Sequence, residues 1–410
     1  MKEGWKLKKL KDIGEISSGN SINAKVKAEK YSNNISGLNY IATKDIGYDR
    51  EINYENGIII PFSDLESFRI AKKDSVLICA EGGSAGRKIG ILNQDVCYVN
   101  KLFSLTTYDS TIGKYVFYWY QSEMFQSEFR DNLTGLIGGV SKRKFQALNI
   151  PIPPLPEQQQ IVEILDEAFE AIDQAKANIE KNIENAKELF QSKLNDIFSQ
   201  KGEGWEMKIL PELVTESCSL SYGIVQPGEE YPNGLPIVRP TDMKNIPISF
   251  EKLKRIKPER ADSYTRTILT GNELLLCVRG ETGVVSLTSD EFKGANVTRG
   301  IVPIVFNNEL VRLKFGYFQF LSNVLNGQIK DKTYGAALMQ INIRDVRKLT
   351  LNIPSLFIQD EILPKLDSLS QNIEVIINRY IKKNNDLEEL KKSILQKAFA
   401  GELTNKTVEV

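Results

Sequence analysis

The second half of the chain repeats the first at an offset of about 200 residues, far beyond the period of a solenoid repeat, so the fold must be a duplicated domain pair. Gly4-Trp5 returns as Gly204-Trp205, and Asn39-Tyr-Ile-Ala-Thr-Lys-Asp45 is echoed by Pro236-Ile-Val-Arg-Pro-Thr-Asp242. Ser75-Val-Leu-Ile-Cys79 followed by Gly82 returns as Glu273-Leu-Leu-Leu-Cys277 followed by Gly280. Lys114-Tyr-Val-Phe-Tyr-Trp-Tyr120 returns as Lys314-Phe-Gly-Tyr-Phe-Gln-Phe320. A length of 410 residues suits two or three domains, each able to bury a core.

Each half closes with Asn-Ile-Pro (Asn149 to Pro151, Asn352 to Pro354) and a long, proline-poor, periodic segment. In the first, Leu165, Ala168, Ile172, Ala175, Ile179, Ala186 and Leu189 alternate spacings of three and four, with Asn182 at one apolar position. In the second, Leu366, Leu369, Ile373, Ile376, Tyr380, Leu387 and Leu390 keep that register, and Lys383 stands level with Asn182. These heptad seams predict two helices that pack on each other, with the polar level fixing register; the alternative is that each packs on its own domain. Helices of about 40 residues would reach ~60 Å. The second is predicted to stop near Gly401, with Glu402 to Val410 a frayed tail.

Apolar runs that end in glycine turns, Val76 to Ala80 before Gly82-Gly83 and Leu274 to Val278 before Gly280, point to α+β domains. The expected plan is two similar α/β domains at 1–152 and 201–353, long helices at 153–200 and 354–402, and a tail at 403–410. The aromatic clusters Tyr115 to Tyr120 and Phe315 to Phe320 offer rings for base stacking, but aromatic stripes among such neighbours are core.

The chain contains no histidine, which removes Ser-His-Asp and Cys-His nucleophile systems and imidazole-ligated metals. Cys79, Cys97, Cys218 and Cys277 lack metal or disulfide spacing and read as buried small hydrophobes. Gly82-Gly-Ser-Ala-Gly-Arg-Lys88 has neither the spacing nor the hydroxyl of a phosphate loop. With no signal-peptide pattern and no apolar run of about 20 residues, the expected location is the cytosol.

Net charge is zero, which looks wrong for a nucleic-acid binder, but it is unevenly spread. Residues 1–150 carry 21 Lys and Arg against 17 Asp and Glu; residues 151–200 carry 4 against 10. Residues 201–350 carry 20 against 17, and 351–410 carry 8 against 9. Mildly basic blocks therefore alternate with acidic or neutral ones.

At the helix entrances stand Gly138-Gly-Val-Ser-Lys-Arg-Lys-Phe145, Leu148-Asn-Ile-Pro-Ile-Pro-Pro-Leu-Pro-Glu-Gln-Gln-Gln-Ile161 and Ile164-Leu-Asp166. A looser second copy has Leu349-Thr-Leu-Asn-Ile-Pro354, Gln359 and Leu366-Asp367, with Ser355-Leu-Phe-Ile358 replacing Pro-Leu-Pro-Glu. Together with the repeat, this resembles the specificity subunit of type I restriction-modification systems over essentially the whole chain. The resemblance implies a non-catalytic protein with two target-recognition domains, and an antiparallel coiled coil, with Leu165, Ile172, Ile179, Leu366, Ile373 and Tyr380 in its seam, setting the spacing of two DNA half-sites. It also implies partners: double-stranded DNA, two adenine methyltransferase subunits per chain using S-adenosylmethionine, and restriction subunits using ATP and magnesium. This chain itself would bind no cofactor and no metal. The Pro153-Pro154-Leu155 run departs from the catalytic motif of DNA amino-methyltransferases, in agreement with that division of labour.

Because the two domains differ at most positions, an asymmetric target is expected. Donor type and loop context nominate Arg279 and Arg239 for base edges, and Thr282 and Arg299 are further candidates for DNA contact. In the first half Lys44, Ser84, Arg87 and Lys88 occupy comparable loops, and Lys142, Arg143 and Lys144 suit phosphate. Three other readings compete: a specificity subunit of a methyltransferase complex without a nuclease, a coiled-coil interaction scaffold, and an enzyme with cryptic sites. Co-purifying partners, failure to bind duplex DNA, and turnover by the isolated chain would discriminate them.

Overall fold

The computed structural model describes residues 2–32, 34–135, 138–199, 204–244, 247–335 and 338–404. The chain divides into two compact units, one formed by the residues up to Ile179 together with those from Lys382 on, the other by Glu180–Ile381. Each unit contains one α+β domain, part of a first long helix, Leu155–Phe198, and part of a second, Leu356–Ala400.

In the first unit, strands Gly14–Ser18, Leu102–Thr107, Val76–Cys79 and Ile89–Ile91 lie in that order in an antiparallel sheet. A second sheet orders Ile59–Ile60, Leu38–Ile41, Val96–Tyr98 and Ile70–Ala71, with the middle pair parallel. Val76–Cys79 is buried at every residue, which is why it reads as a continuous apolar run. The second unit repeats these two sheets with three described strands in each. Leu274–Cys277 pairs with Val285–Leu287 and Ile301–Ile304, and Leu235–Val238 pairs with Lys254–Ile256 and, in parallel, with Asn296–Val297.

The aromatic clusters form the helices Gly113–Trp119 and Leu313–Leu321 and are core: Tyr115, Tyr120, Phe315 and Phe320 are fully buried. Cys79, Cys97 and Cys277 are buried, whereas Cys218 is only half-buried.

The helix-entrance motifs clamp each domain to its helix. Gln158 is fully buried; its Oε1 accepts from the Ile112 amide at 3.0 Å and its Nε2 donates to the Ser110 and Pro153 carbonyls. Gln359 does the same with the Arg312 amide and the Leu310 and Pro354 carbonyls. Two turns on, Asp166 pairs with Lys114 at 2.7 Å and Asp367 with Lys314 at 2.8 Å. The looser second copy thus keeps the glutamine hydrogen bonds and the lysine–aspartate pair of the first.

Each long helix beds on a domain and also meets the other helix, so the two expectations for the seam both hold in part. In the first unit, Asp173 pairs with Lys391 at 3.3 Å, Lys176 pairs with Glu388, and the Lys391 ammonium lies 4.3 Å from the Phe169 ring centre, a register that requires antiparallel helices. In the second, Phe190, Leu194, Ile197 and Phe198 share a core with Ile362, Leu363 and Leu366. Leu165, Ile172, Ile179, Leu366 and Ile373 are buried and Tyr380 is half-buried.

The heptad fails in detail: Leu189, Ile376 and Leu390 are exposed, as are Asn182 and Lys383. The buried stripe of the first helix runs Ile161, Leu165, Phe169, Ile172, Ile179, Ala186, Leu194, Phe198, advancing at the ~3.6 residues of a straight helix rather than the 3.5 of a coiled-coil seam. By residue 190 the two templates differ by one position, so Phe190 rather than Leu189 turns inward.

Helix Leu356–Ala400 ends as expected, with Gly401 at φ +80° and the Glu402 amide donating to the Lys397 carbonyl at 2.9 Å. Glu402 to Thr404 do not fray, however. Leu403 packs on the first core, and Lys2 donates to Thr404 Oγ1 at 2.8 Å and to Glu157 at 2.7 Å. Residues 405–410 of the expected tail lie outside the described residues.

Candidate nucleic-acid interface

In each domain four backbone segments converge where the central strands of the two sheets end. In the first they are 42–47 after Leu38–Ile41, 80–88 after Val76–Cys79, 99–101, and the described residues 134–135 and 138–141. Hydrogen bonds stitch them together: Val99 N to Ile41 O, Ala80 N to Lys101 O, Val140 N to Ala80 O, and Gly82 N to Gly138 O at 2.7 Å. The second domain repeats this with Thr298 N to Val238 O, Val278 N to Gly300 O, Ile341 N to Val278 O, and Gly280 N to Met339 O at 2.8 Å. Gly82 and Gly280 have φ of +81° and +85°, a left-handed turn that favours glycine, which explains the repeated glycine after each apolar strand.

On the first frame the structure gathers three nominated residues, Ser84, Arg87 and Lys88, around Tyr48, which carries no signal in the sequence. Lys44 is exposed on the turn Thr43–Asp45. Ser84 Oγ lies 3.1 Å from Tyr48 Oη, and the Arg87 guanidinium and Lys88 ammonium lie 5.4 and 5.3 Å from the Tyr48 ring centre. Lys88 also donates to the Thr43 carbonyl at 3.0 Å, tying the two loops. Tyr48 is 57% exposed, a flat face with cations beside it.

Lys142, Arg143 and Lys144 open the short helix Lys142–Gln146, capped by Ser141. Lys142 and Arg143 are exposed, whereas Lys144 is half-buried with its Nζ 3.5 Å from the Asn132 carbonyl. The matching helix, Ile343–Val346, retains one cation at an equivalent place, the exposed Arg344.

On the second frame Arg239, Lys244, Arg279 and Arg299 line one cleft of about 540 Å³, with Leu338 on its wall. Arg239 is already engaged: its Nε and Nη2 fork onto Asp242 at 3.1 and 2.8 Å, and that carboxylate raises its pKa above the ordinary guanidinium value. Arg239 thus reaches the cleft as one half of an ion pair rather than as a lone cation. Lys244 pairs with Glu281 at 3.3 Å, and Thr282 faces Thr333 Oγ1 at 3.4 Å. Arg299 is exposed. Arg279 differs from all of these, because its Nε is shielded from solvent and has no hydrogen-bond partner.

Among the described residues no three His, Cys, Asp or Glu side chains group as metal ligands, and no helix is long and apolar enough to cross a membrane. Two copies of one α+β frame, each displaying cations on converging loops and each clamped to long helices, define a two-domain recognition protein. A family model described as the type I restriction modification DNA specificity domain matches the chain twice, at residues 2–185 and 203–389, and the chain belongs to that family. It is 24% identical to the type I restriction enzyme EcoBI specificity subunit of Escherichia coli, across 98% of this chain and 87% of that protein. With the StySPI specificity subunit of Salmonella potsdam the identity is 23%, across 90% and 84%. The fold matches a chain solved in work on assembly and conformational transition of the type I R-M system, with TM-score 0.78 at 17% identity and coverage of 98% and 99%. It also matches the HsdS subunit from Thermoanaerobacter tengcongensis, with TM-score 0.58 at 17% identity and 98% coverage of both chains.

Proposed function

We propose that this DNA-specificity protein reads an asymmetric, two-part duplex target and directs adenine methyltransferase and ATP-dependent restriction subunits to it, without catalysing either reaction. The observation that carries this reading is one backbone frame presented twice with different side chains: a tyrosine ringed by Ser84, Arg87 and Lys88 in one copy, an arginine-lined cleft in the other. Equal frames give two recognition events, and unequal side chains give unequal half-sites.

Two methyltransferase subunits per chain follow from the duplication, since each partner would meet an equivalent domain and helix junction. S-adenosylmethionine, ATP and magnesium belong to those partners, and the assembly works in the cytoplasm. Zero net charge makes the isolated chain a weak binder of DNA, with the partners supplying much of the phosphate contact.

The test is co-expression with the methyltransferase subunit encoded beside it, in a methylation-free host, followed by genome-wide mapping of N6-methyladenine. A new methylated motif with two different half-sites and a fixed gap is the expected result. No new methylation together with no complex would overturn the reading, and matched-salt binding by the chain alone as tight as that of the full complex would overturn the shared phosphate contact.

A further inference from the structure

Backbone hydrogen bonds place Glu81 and Arg279 at one position of the two frames, although their charges are opposite. Each lies two residues beyond a buried cysteine, and its carbonyl accepts from that thiol at 3.3 Å. Each forms an isolated antiparallel bridge to the far segment, Glu81 with Gly139 and Arg279 with Gln340. Each precedes the left-handed glycine that donates to that segment.

The neighbour changes with the charge. The carbonyl that accepts from Ala80 belongs to Lys101, and the one that accepts from Val278 belongs to Gly300, so these two residues also correspond. Lys101 Nζ lies 3.0 Å from the Glu81 carboxylate. Gly300 offers Arg279 no side chain, and a Cβ there would fall 2.3 Å from Pro240 Cγ, so the second frame has no room for a lysine. Glu81 is thus held by a counter-ion in an open setting, while Arg279 keeps a shielded Nε unpaired at the wall of an open cleft. A shielded donor without an acceptor is costly unless a ligand supplies one.

We propose that position 81/279 is a shared base-reading position of the two domains. Arg279 takes the O6 and N7 edge of a guanine in one half-site, and Glu81 accepts from the exocyclic N4 amine of a cytosine in the other. A guanidinium fork matches two acceptors and a carboxylate matches an amine, so opposite charges at one place select opposite partners in the major groove. Lys101 orients the carboxylate and offsets its repulsion from nearby phosphates. The proposal rests on the DNA-reading assignment made above.

The experiment maps N6-methyladenine for the wild-type chain, E81A, R279A, R279K and the double alanine variant, each co-expressed with the methyltransferase partner. Competition binding of each complex to duplexes carrying single base-pair changes runs in parallel and reads the same preference if methylation is lost. R279A and R279K, the latter keeping charge without the fork, should lose discrimination at one G·C pair in one half-site by on the order of tenfold to a hundredfold. E81A should lose it at one cytosine in the other half-site, and the double variant at both, with the rest of the motif intact. Losses in the same half-site, loss at an A·T pair, or unchanged preference in either single variant would overturn the proposal. A wild-type complex that neither methylates nor prefers any duplex would overturn the underlying assignment before any substitution is compared.

Discussion

The two recognition domains are alike where they touch the long helices and unlike where their loops converge. Gln158 and Gln359 make the same three hydrogen bonds, Lys114–Asp166 and Lys314–Asp367 the same ion pair. Phe399 stacks edge-on to Tyr115 at 5.3 Å, as Phe198 does to Phe315 at 5.3 Å. At the loops, by contrast, the position of Ala42 in the first copy is taken by Arg239 in the second, that of Glu81 by Arg279, and that of Lys101 by Gly300. A frame under one packing constraint can vary only where nothing packs, so the helix junction and the loop surface are separable, and substitutions at each should fail in different ways.

The largest effects belong to the junction aromatics. Phe198 is 1% exposed and Phe399 3%, so Phe198→Ala and Phe399→Ala should each cost about 4 kcal/mol, the usual range for a buried phenylalanine. Hydrogen exchange should rise in Glu180–Ile381 for the first variant and in the other unit for the second. Unequal losses would break the equivalence of the two junctions. Next come Gln158→Ala and Gln359→Ala, each of which strands one buried amide and two carbonyls and should cost about 3 kcal/mol in denaturant unfolding. A much smaller cost at Gln359 would mean that the looser second motif has a weaker clamp.

What the sequence made legible follows the same division. The repeat, the long helices and the Pro-Pro-Leu-x-x-Gln entrance show as local pattern, because Gln158 and Gln359 must sit at a fixed distance from the helix start to reach the carbonyls at Pro153 and Pro354. The heptad loses Leu189 to Phe190 late in the first helix because a 3.5-residue template drifts against a helix that beds on a domain. Thr404 was misread because Lys2, its partner, lies at the other end of the chain. Tyr48 carries no sequence signal because it stands alone, outside the repeated aromatic clusters, and those are core. The equivalence of Glu81 to Arg279 is visible as the second residue after each cysteine, but the stitching to Gly139 and Gln340 that gives the position meaning is backbone pairing over long sequence separations. The pair of Arg239 with Asp242, three residues on, is not legible in the sequence because it depends on turn geometry that composition does not report.

Smaller effects sharpen the loop side of the comparison. Arg143 and Arg344 are the cations that the short helices after the converging segments share, and both are exposed. Arg143→Ala and Arg344→Ala should each weaken binding of the assembled complex at every sequence alike and lower the salt slope by about 1, the signature of one lost phosphate contact. A change of motif in either variant would move that arginine from positioning to base readout.

The smallest effects return to the junction. Lys114 and Lys314 are 43% and 55% exposed, so solvent screens both pairs, and Lys114→Ala and Lys314→Ala should each cost only about 0.5 kcal/mol. Their carboxylates are not held alike, however. Tyr118 Oη donates to Asp166 at 2.5 Å, a contact that Phe318 cannot make to Asp367. Burial is the first cause, and the Asp166 carboxylate the second, that push the Tyr118 hydroxyl well above its ordinary pKa, so it stays protonated and donating across the working pH range. Asp166 therefore keeps a partner when Lys114 is removed, whereas Asp367 loses the pair it has. Chemical denaturation of the two lysine variants should show the loss at Lys314 equal to or slightly above that at Lys114; the reverse order would mean that the tyrosine depends on the lysine for its geometry, and that the first junction is a coupled triad where the second is a simple pair.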